Sequence, residues 1–293
     1  MTLHESVHTV APAAARRGGM ARRVLKNGQT TTGMALMLGI VLLAAIGPFL
    51  APHLPTEIVG RPFTGPSDGI LLGTDVLGRD VLSRVLSGGR LLIVMSVAAT
   101  LIGLVLGTII GVTSAYVSGL GDFLTMRVLD VILAFPSIVF ALLFVSVLGA
   151  NPVLLVVLVG VAHTPSVARV MRGAAMTVVT RDYVLWARSI GIPPFTILRA
   201  EVFPNIVSPL MVEAGLRLMW SVGTIAALSF LGYGIQPPTA DWGLMASENR
   251  NALSLQPLSV VVPIAVIGIF TIGANLFAEG LGRIVARTEG AGA

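Results

Sequence analysis

The 293-residue sequence contains no cysteine, one lysine and few charges of either sign. Without cysteine there is no disulfide framework, no thiol nucleophile and no thiolate metal site. The lone lysine, Lys26, follows Leu25 and precedes Asn27. A phosphate-cradling loop needs glycine before its lysine and serine or threonine after it, so the chain has no ATP site of that kind. Charged residues make up 11% of the chain, against roughly 25% in an ordinary soluble domain. Hydrophobic residues make up 55%, and the mean hydropathy is +0.90. Long uncharged runs fill the sequence instead and leave no room for a separate soluble catalytic domain.

Those runs read as membrane crossings. Gly33–Ala51 is 19 residues without a charge and Leu91–Val117 is 27, each long enough to cross an apolar layer of about 30 Å. Val131–Ala168, at 38 residues, is too long for one crossing, and the turn-forming Asn151-Pro152 pair divides it in two. Asn205–Leu231 is a fifth span, interrupted by Glu213 and Arg217, and Pro257–Ala278 is a sixth. The fold class is therefore an all-α membrane protein with six transmembrane helices. Residues 1–30 read as a polar cytoplasmic tail, 31–287 as the membrane domain, and 288–293 as a C-terminal tail.

Six spans place both termini on one side, and arginine indicates which. With the N-terminus inside, thirteen of the 19 Lys and Arg residues are cytoplasmic, among them Arg127, Arg169, Arg172, Arg181, Arg188, Arg199 and Arg283. Five, namely Arg61, Arg79, Arg84, Arg90 and Arg250, fall outside. This asymmetry obeys the positive-inside rule, so both termini are expected in the cytoplasm. The length of the first span and the five crossings after it disfavour a cleaved signal peptide, and "ARRVLK" at 21–26 is discounted as a twin-arginine signal for the same reason.

The stretch Thr180–Asn205, "TRDYVLWARSIGIPPFTILRAEVFPN", is charged and punctuated in a chain made otherwise for lipid. Thr180 is placed as an N-cap, Asp182 puts negative charge on the first turn, and Gly191 with Pro193 stops the helix. Tyr183, Trp186, Ala187 and Ile190 share one face at i, i+3, i+4 and i+7. Arg181, Arg188 and Ser189 lie on the other, with Leu185 interrupting it. A second short helix is predicted from Pro194, ending before Pro204. Two readings fit: a helix lying on anionic lipid, or a docking helix for a cytosolic partner.

Other charges and small residues carry weaker messages. Asp75 with Arg79 and Asp80 with Arg84 are i, i+4 acid-to-base pairs, and Leu77, Val81, Leu82, Val85 and Leu86 form an apolar stripe. They predict an amphipathic helix on the outer surface rather than a metal site. Ala99, Gly103, Gly107, Gly111 and Ala115 recur every fourth residue and predict a helix-helix seam. Pro136, Pro165 and Pro263 predict kinks in spans three, four and six. Glu213 and Arg217 share a face of span five, either as a self-satisfying ion pair near its cytoplasmic end or as a contact for the charged termini of a peptide in the pathway. Asp130 is expected to pair with Arg127 or the cytoplasmic loop. "HESVH", His4–His8, matches a zinc-hydrolase pattern but lies in an Ala/Pro/Arg-rich tail without a third ligand, so no metal is expected.

The spacing of Ala187, Gly191 and Phe203-Pro204-Asn205 resembles the "EAA" loop of ABC importer membrane subunits, spanning 172–204 here. In that register the family's glutamate is Leu185, its first alanine Trp186 and its later apolar position Glu201. Three further segments, "LLGTDVLGRDVLSRVLSGGR" (71–90), "MRVLDVILAFPSIVFAL" (126–142) and "LSFLGYGIQPPTADWGLMASENRN" (228–251), are similar to the C-type permease of dipeptide and oligopeptide (peptide/nickel) ABC importers. The resemblance covers about residues 33–287. It implies the type I importer permease fold in a bacterial inner membrane, passing di- or oligopeptides inward by alternating access. It further implies a homologous second permease, two cytosolic ATPase domains or subunits holding ATP and Mg, an extracytoplasmic substrate-binding protein, and surrounding lipid. No catalysis, cofactor or nucleic-acid partner is expected of this chain. By the same resemblance, contact with the ATPases falls to Arg181, Asp182, Tyr183, Ala187, Arg188, Gly191 and Pro204.

Nickel or another peptide-like or chelate cargo is the alternative within this class. Outside it, an ion-coupled secondary transporter would show paired repeats and embedded ion sites, of which only Glu213, Arg217 and Asp130 are candidates. A channel would show a filter loop or a charged ring, and neither appears.

Overall fold

The computed structural model describes residues 27–290, with side chains through Ile284. The His4–His8 motif, most of the predicted N-terminal tail, the Arg287 side chain and residues 291–293 lie outside what is described. Eleven α-helices occur among the described residues, in the order α1 Gly28–Leu50, α2 Val81–Ser87, α3 Gly89–Val117, α4 Gly119–Leu133, α5 Ser137–Leu148, α6 Pro152–Val179, α7 Asp182–Ser189, α8 Pro194–Ile197, α9 Phe203–Phe230, α10 Trp242–Glu248 and α11 Leu258–Gly290. Five stretches built on α1, α3, α6, α9 and α11 are long and apolar enough to cross a membrane, and the α4–α5 pair supplies a sixth crossing if counted as one broken span.

Local chemistry sets several boundaries. The Asn27 side chain accepts from the N–H groups of Gln29 and Thr30, so α1 starts five residues before the predicted span at Gly33. Asn151 caps α6 through the Val153 N–H at 2.8 Å, with Pro152 in the first turn. The third crossing is not the straight helix over 131–150 that the apolar run predicts. It starts at Gly119 and bends by 77° between α4 and α5. Pro136 has no N–H and drives Phe135 out of the helical region, so the ladder stops at Ala134. Pro165 and Pro263, also predicted kinks, lie inside α6 and α11, whose helical assignment runs through them.

Side chains pack into two cores. One lies where α1, α3, α6, α9, α10 and α11 meet and includes Ile40, Val85, Leu92, Met95, Leu155, Ile225, Leu228, Trp242 and Phe270. The other sits at the end of the bundle carrying α7 and includes Val112, Val167, Met171, Val178, Val184, Ala187, Ile197 and Ile206. Leu42, Phe49, Val94, Leu101, Leu143 and Val147 point outward. In water such surface would aggregate; against lipid tails it costs nothing, and helices associate by close packing instead.

Close packing is sharpest between α3 and α6. A Cβ on Gly103 would lie 2.8 Å from Cβ of His163, and one on Gly107 would lie 2.5 Å from Cβ of Val167 and 2.9 Å from the Thr164 carbonyl. Gly111 faces Ala168 in the same way. With only hydrogen at these positions the two backbones touch along three turns, which maximises dispersion contact.

Candidate functional site

The loop joining α6 to α9 is built from short-range bonds. The predicted cap at Thr180 does not form. Thr180 ends α6 in helical conformation, and its hydroxyl turns back to donate to the Met176 carbonyl at 3.1 Å. Arg181 takes the N-cap position without a side-chain cap bond, while Asp182 does sit in the first turn of α7. Gly191, at φ +80°, ends the helix. Its N–H donates to the Arg188 carbonyl and that of Ile192 to the Ala187 carbonyl, both at 3.1 Å, the paired closure that a left-handed residue permits.

Tyr183, Trp186 and Ile190 of the predicted apolar face are exposed, as are Arg181 and Ser189 of the polar one, while Ala187 and Arg188 depart from that grouping. Val184 and Ala187 are buried in the second core. Tyr183, Trp186 and Ile190 are 44%, 64% and 54% exposed, with Leu185 beside them. Arg188, predicted on the solvent face, turns inward. Its guanidinium carbon lies 3.7 Å from the ring centroid of Tyr116, and Nη2 donates to the Tyr116 carbonyl at 3.1 Å.

The second short helix does not end before Pro204. α8 passes through a π-helical turn, Leu198–Val202, directly into α9. The widened turn leaves room for the Pro204 ring, which would clash with the carbonyl of residue 200 in a tight α-helix. The Asn205 amide donates to the Glu201 carbonyl at 2.6 Å.

Within α9, Arg217 Nε donates to Glu213 Oε1 at 2.8 Å, and the carboxylate is buried. One turn further on, Ser221 Oγ lies 2.9 Å from Thr100 Oγ1 and 3.0 Å from His163 Nε2, joining α9 to α3 and α6. Neither Thr100 nor His163 carries a sequence signal for this contact, because their partner lies far along the chain. A groove of about 190 Å³ between α1, α3, α9 and α11 is lined by Met37, Thr100, Leu104, Met211, Leu218 and Phe277. Glu213 and Arg217 do not line it. Among the described residues, no cluster of His, Asp or Glu could hold a metal ion.

At the α7 end, Arg172 of α6 grips Asp122 of α4 through Nε at 2.6 Å and Nη2 at 2.5 Å, and Ser114 donates to the same carboxylate at 2.6 Å. Asp130 pairs with Arg169 as well as Arg127.

At the opposite end the predicted amphipathic helix over 75–86 is replaced by a loop and the shorter α2. Asp80 does not pair with Arg84; it caps α2 through the N–H groups of Leu82 and Ser83. Arg84 instead reaches Asp75 at 2.5 Å and Glu248 of the α10 segment at 2.7 Å. Arg79 bridges the same two carboxylates at 2.7 and 2.9 Å. Both arginines are buried, because α10 folds over them. That distant partner cannot be read from i, i+4 spacing. Asp241, which caps α10 through the Leu244 N–H at 2.9 Å, is also buried, and burial pushes its carboxyl up to about 6.

A bundle of long apolar helices with a buried charge clamp at one end and an exposed aromatic helix at the other defines a multi-span membrane protein. Residues 103–289 match the family model described as the binding-protein-dependent transport system inner membrane component, and the chain belongs to that family. It is 33% identical over 262 residues to the glutathione transport system permease protein GsiD of Pectobacterium atrosepticum, covering 89% of this chain and 87% of that protein. It is 34% identical over 256 residues to the di/tripeptide transport system permease protein DppC of Pseudomonas aeruginosa, covering 85% and 84%. A crystal structure of an amino acid ABC transporter with histidines aligns with a TM-score of 0.46 at 18% identity, covering 68% of this chain and 94% of that one.

Proposed function

We propose that this permease is the C-type membrane subunit of an ATP-driven importer of di- or oligopeptides, taking cargo from a substrate-binding protein and releasing it inward by alternating access. The reading is supported by the peptide and glutathione carriers among its relatives. The observation that carries the mechanism is the outward face of α7: Tyr183, Leu185, Trp186 and Ile190 stand clear of the bundle on a helix whose other face is locked into the core. A face so apolar, next to the polar Asp182 and Arg181, suits a protein groove. Separate cytosolic ATPases dock there, bind ATP and Mg, and drive the spans. The termini and α7 are then cytoplasmic, and the Asp75/Arg79/Arg84/Glu248 end faces outward. A homologous second permease completes the pathway.

The test is uptake of a labelled dipeptide into lipid vesicles holding this chain with its second permease and ATPases, the binding protein being supplied outside. Trp186→Asp places a charge at the centre of the docking face and is expected to release the ATPase subunits and abolish uptake. ATP-independent uptake by the wild-type chain without ATPase subunits would point to ion-coupled transport and overturn the proposal.

A further inference from the structure

The docking reading leaves open how motion of α7 enters the spans, and the chain offers two routes. One runs along the sequence, through Gly191, α8 and the π-helical turn into α9. The other runs through space, from Arg188 to Tyr116 in the last turn of α3.

We infer that the second route carries the stroke, with Arg188 and Tyr116 as its link. This rests on the proposed docking of ATPases at α7. Val184 and Ala187 meet the core through apolar contacts, which are non-directional. Arg188 is directional: its guanidinium carbon stands over the Tyr116 ring, 3.7 Å from the centroid, and Nη2 donates to the Tyr116 carbonyl at 3.1 Å. The other side-chain hydrogen bond between α7 and a distant element, from the Asn205 amide to the Tyr183 hydroxyl, is longer at 3.5 Å. A cation at the C-terminal end of α3 also meets the negative end of that 29-residue helix.

What lies beyond Tyr116 makes it a point of leverage. Two residues earlier, Ser114 donates to Asp122 of α4, which Arg172 of α6 holds with two bonds. Farther along, α3 and α6 touch backbone to backbone at Gly103 and Gly107. A displacement delivered at Tyr116 therefore moves α3, α6 and the cytoplasmic half of the broken span together. The α9 route passes first through Gly191, which is exposed with open space where a side chain would stand, and then through a π-helical turn that interrupts regular α-helical hydrogen bonding. Arg188 and Tyr116 are positioning residues, since neither is assigned contact with cargo or nucleotide.

The experiment uses the assembled importer in lipid vesicles and measures peptide transported per ATP hydrolysed, together with the ATPase subunits retained. Tyr116→Ala is expected to keep the ATPases bound and hydrolysing while peptide per ATP falls about tenfold. Tyr116→Leu, which keeps apolar bulk but has no π face, should uncouple in the same way and guards against a folding defect. Tyr116→Phe keeps the ring, the main-chain carbonyl being present in all three variants, and should stay within about twofold of wild type. Normal coupling in Tyr116→Leu, or equal loss in Tyr116→Phe, overturns the link and leaves the α9 route. Failure of the docking reading registers separately, as ATPase subunits retained by Trp186→Asp.

Discussion

Replacing Arg84 by methionine removes one of two guanidiniums that neutralise Asp75 and Glu248. The site then holds two carboxylates against Arg79 alone. Breaking a buried ion pair by deleting one partner costs about 3–5 kcal/mol, because the remaining charge is left uncompensated. Two features of the site favour the lower figure. Arg84 Nε is buried without a partner, so part of its desolvation cost is already unrecovered, and the Glu248 side chain is 16% exposed, so water reaches the orphaned carboxylate. At about 2 °C per kcal/mol for a chain of this size, the expected drop in thermal midpoint is roughly 6 °C. Tryptophan fluorescence of the detergent-solubilised protein reports it, since the fully buried Trp242 sits on the same helix as Glu248. Arg84→Met combined with Glu248→Gln leaves Arg79 with Asp75 at 2.7 Å, a balanced pair, and should regain at least half of the loss. A shift below about 2 °C for the single variant, or a double variant that falls further than the single one, would refute the account.

Three further outcomes follow from packing and burial. Gly107→Val forces side-chain carbon into the Val167 side chain and the Thr164 carbonyl; the yield of monodisperse protein in detergent should fall steeply, with Gly107→Ala intermediate at about 1–3 kcal/mol. Asp241 has its carboxyl raised to about 6, so the unfolded chain loses this proton first and the carboxylate's stability penalty grows as pH rises from about 4 to 6, then levels. Asp241→Asn keeps the acceptor for the Leu244 N–H and should remove that slope, gaining up to about 3 kcal/mol at pH 7; thermal midpoints of the two proteins at pH 4.5 and 7.5 check it. Trp242→Phe deletes the Nε1 bond to the Val85 carbonyl, 2.8 Å long and buried, and should cost about 1–3 kcal/mol by chemical denaturation, since the carbonyl is left unpaired.

Much of the architecture was legible in the sequence because lipid imposes a one-dimensional rule: a crossing must be uncharged and about 20 residues long. Five of the six runs are crossings near their predicted places. The exception, α4–α5, breaks where a single proline outweighs a uniformly apolar run. The small-residue stripe at 103, 107 and 111 lies on one side of α3 because helical period alone puts it there. Asp75 with Arg79 and Glu213 with Arg217 pair as their spacing predicts, being neighbours on the chain.

Tertiary structure decided what depends on distant partners. Periodicity grouped the apolar residues of α7 but not that Val184 and Ala187 are the buried ones, because the residues they pack against lie on helices distant in sequence. Arg84 pairs across the fold with Glu248, His163 meets Ser221 and Thr100, and Arg188 lies on Tyr116, contacts that no local spacing encodes. The sequence by itself determined the class of molecule and where its helices cross, since both follow from the free energy of placing residues in lipid. Which charges are buried, which face of α7 is exposed and which residues tie α7 to α3 were decided only once helices far apart in sequence had packed together.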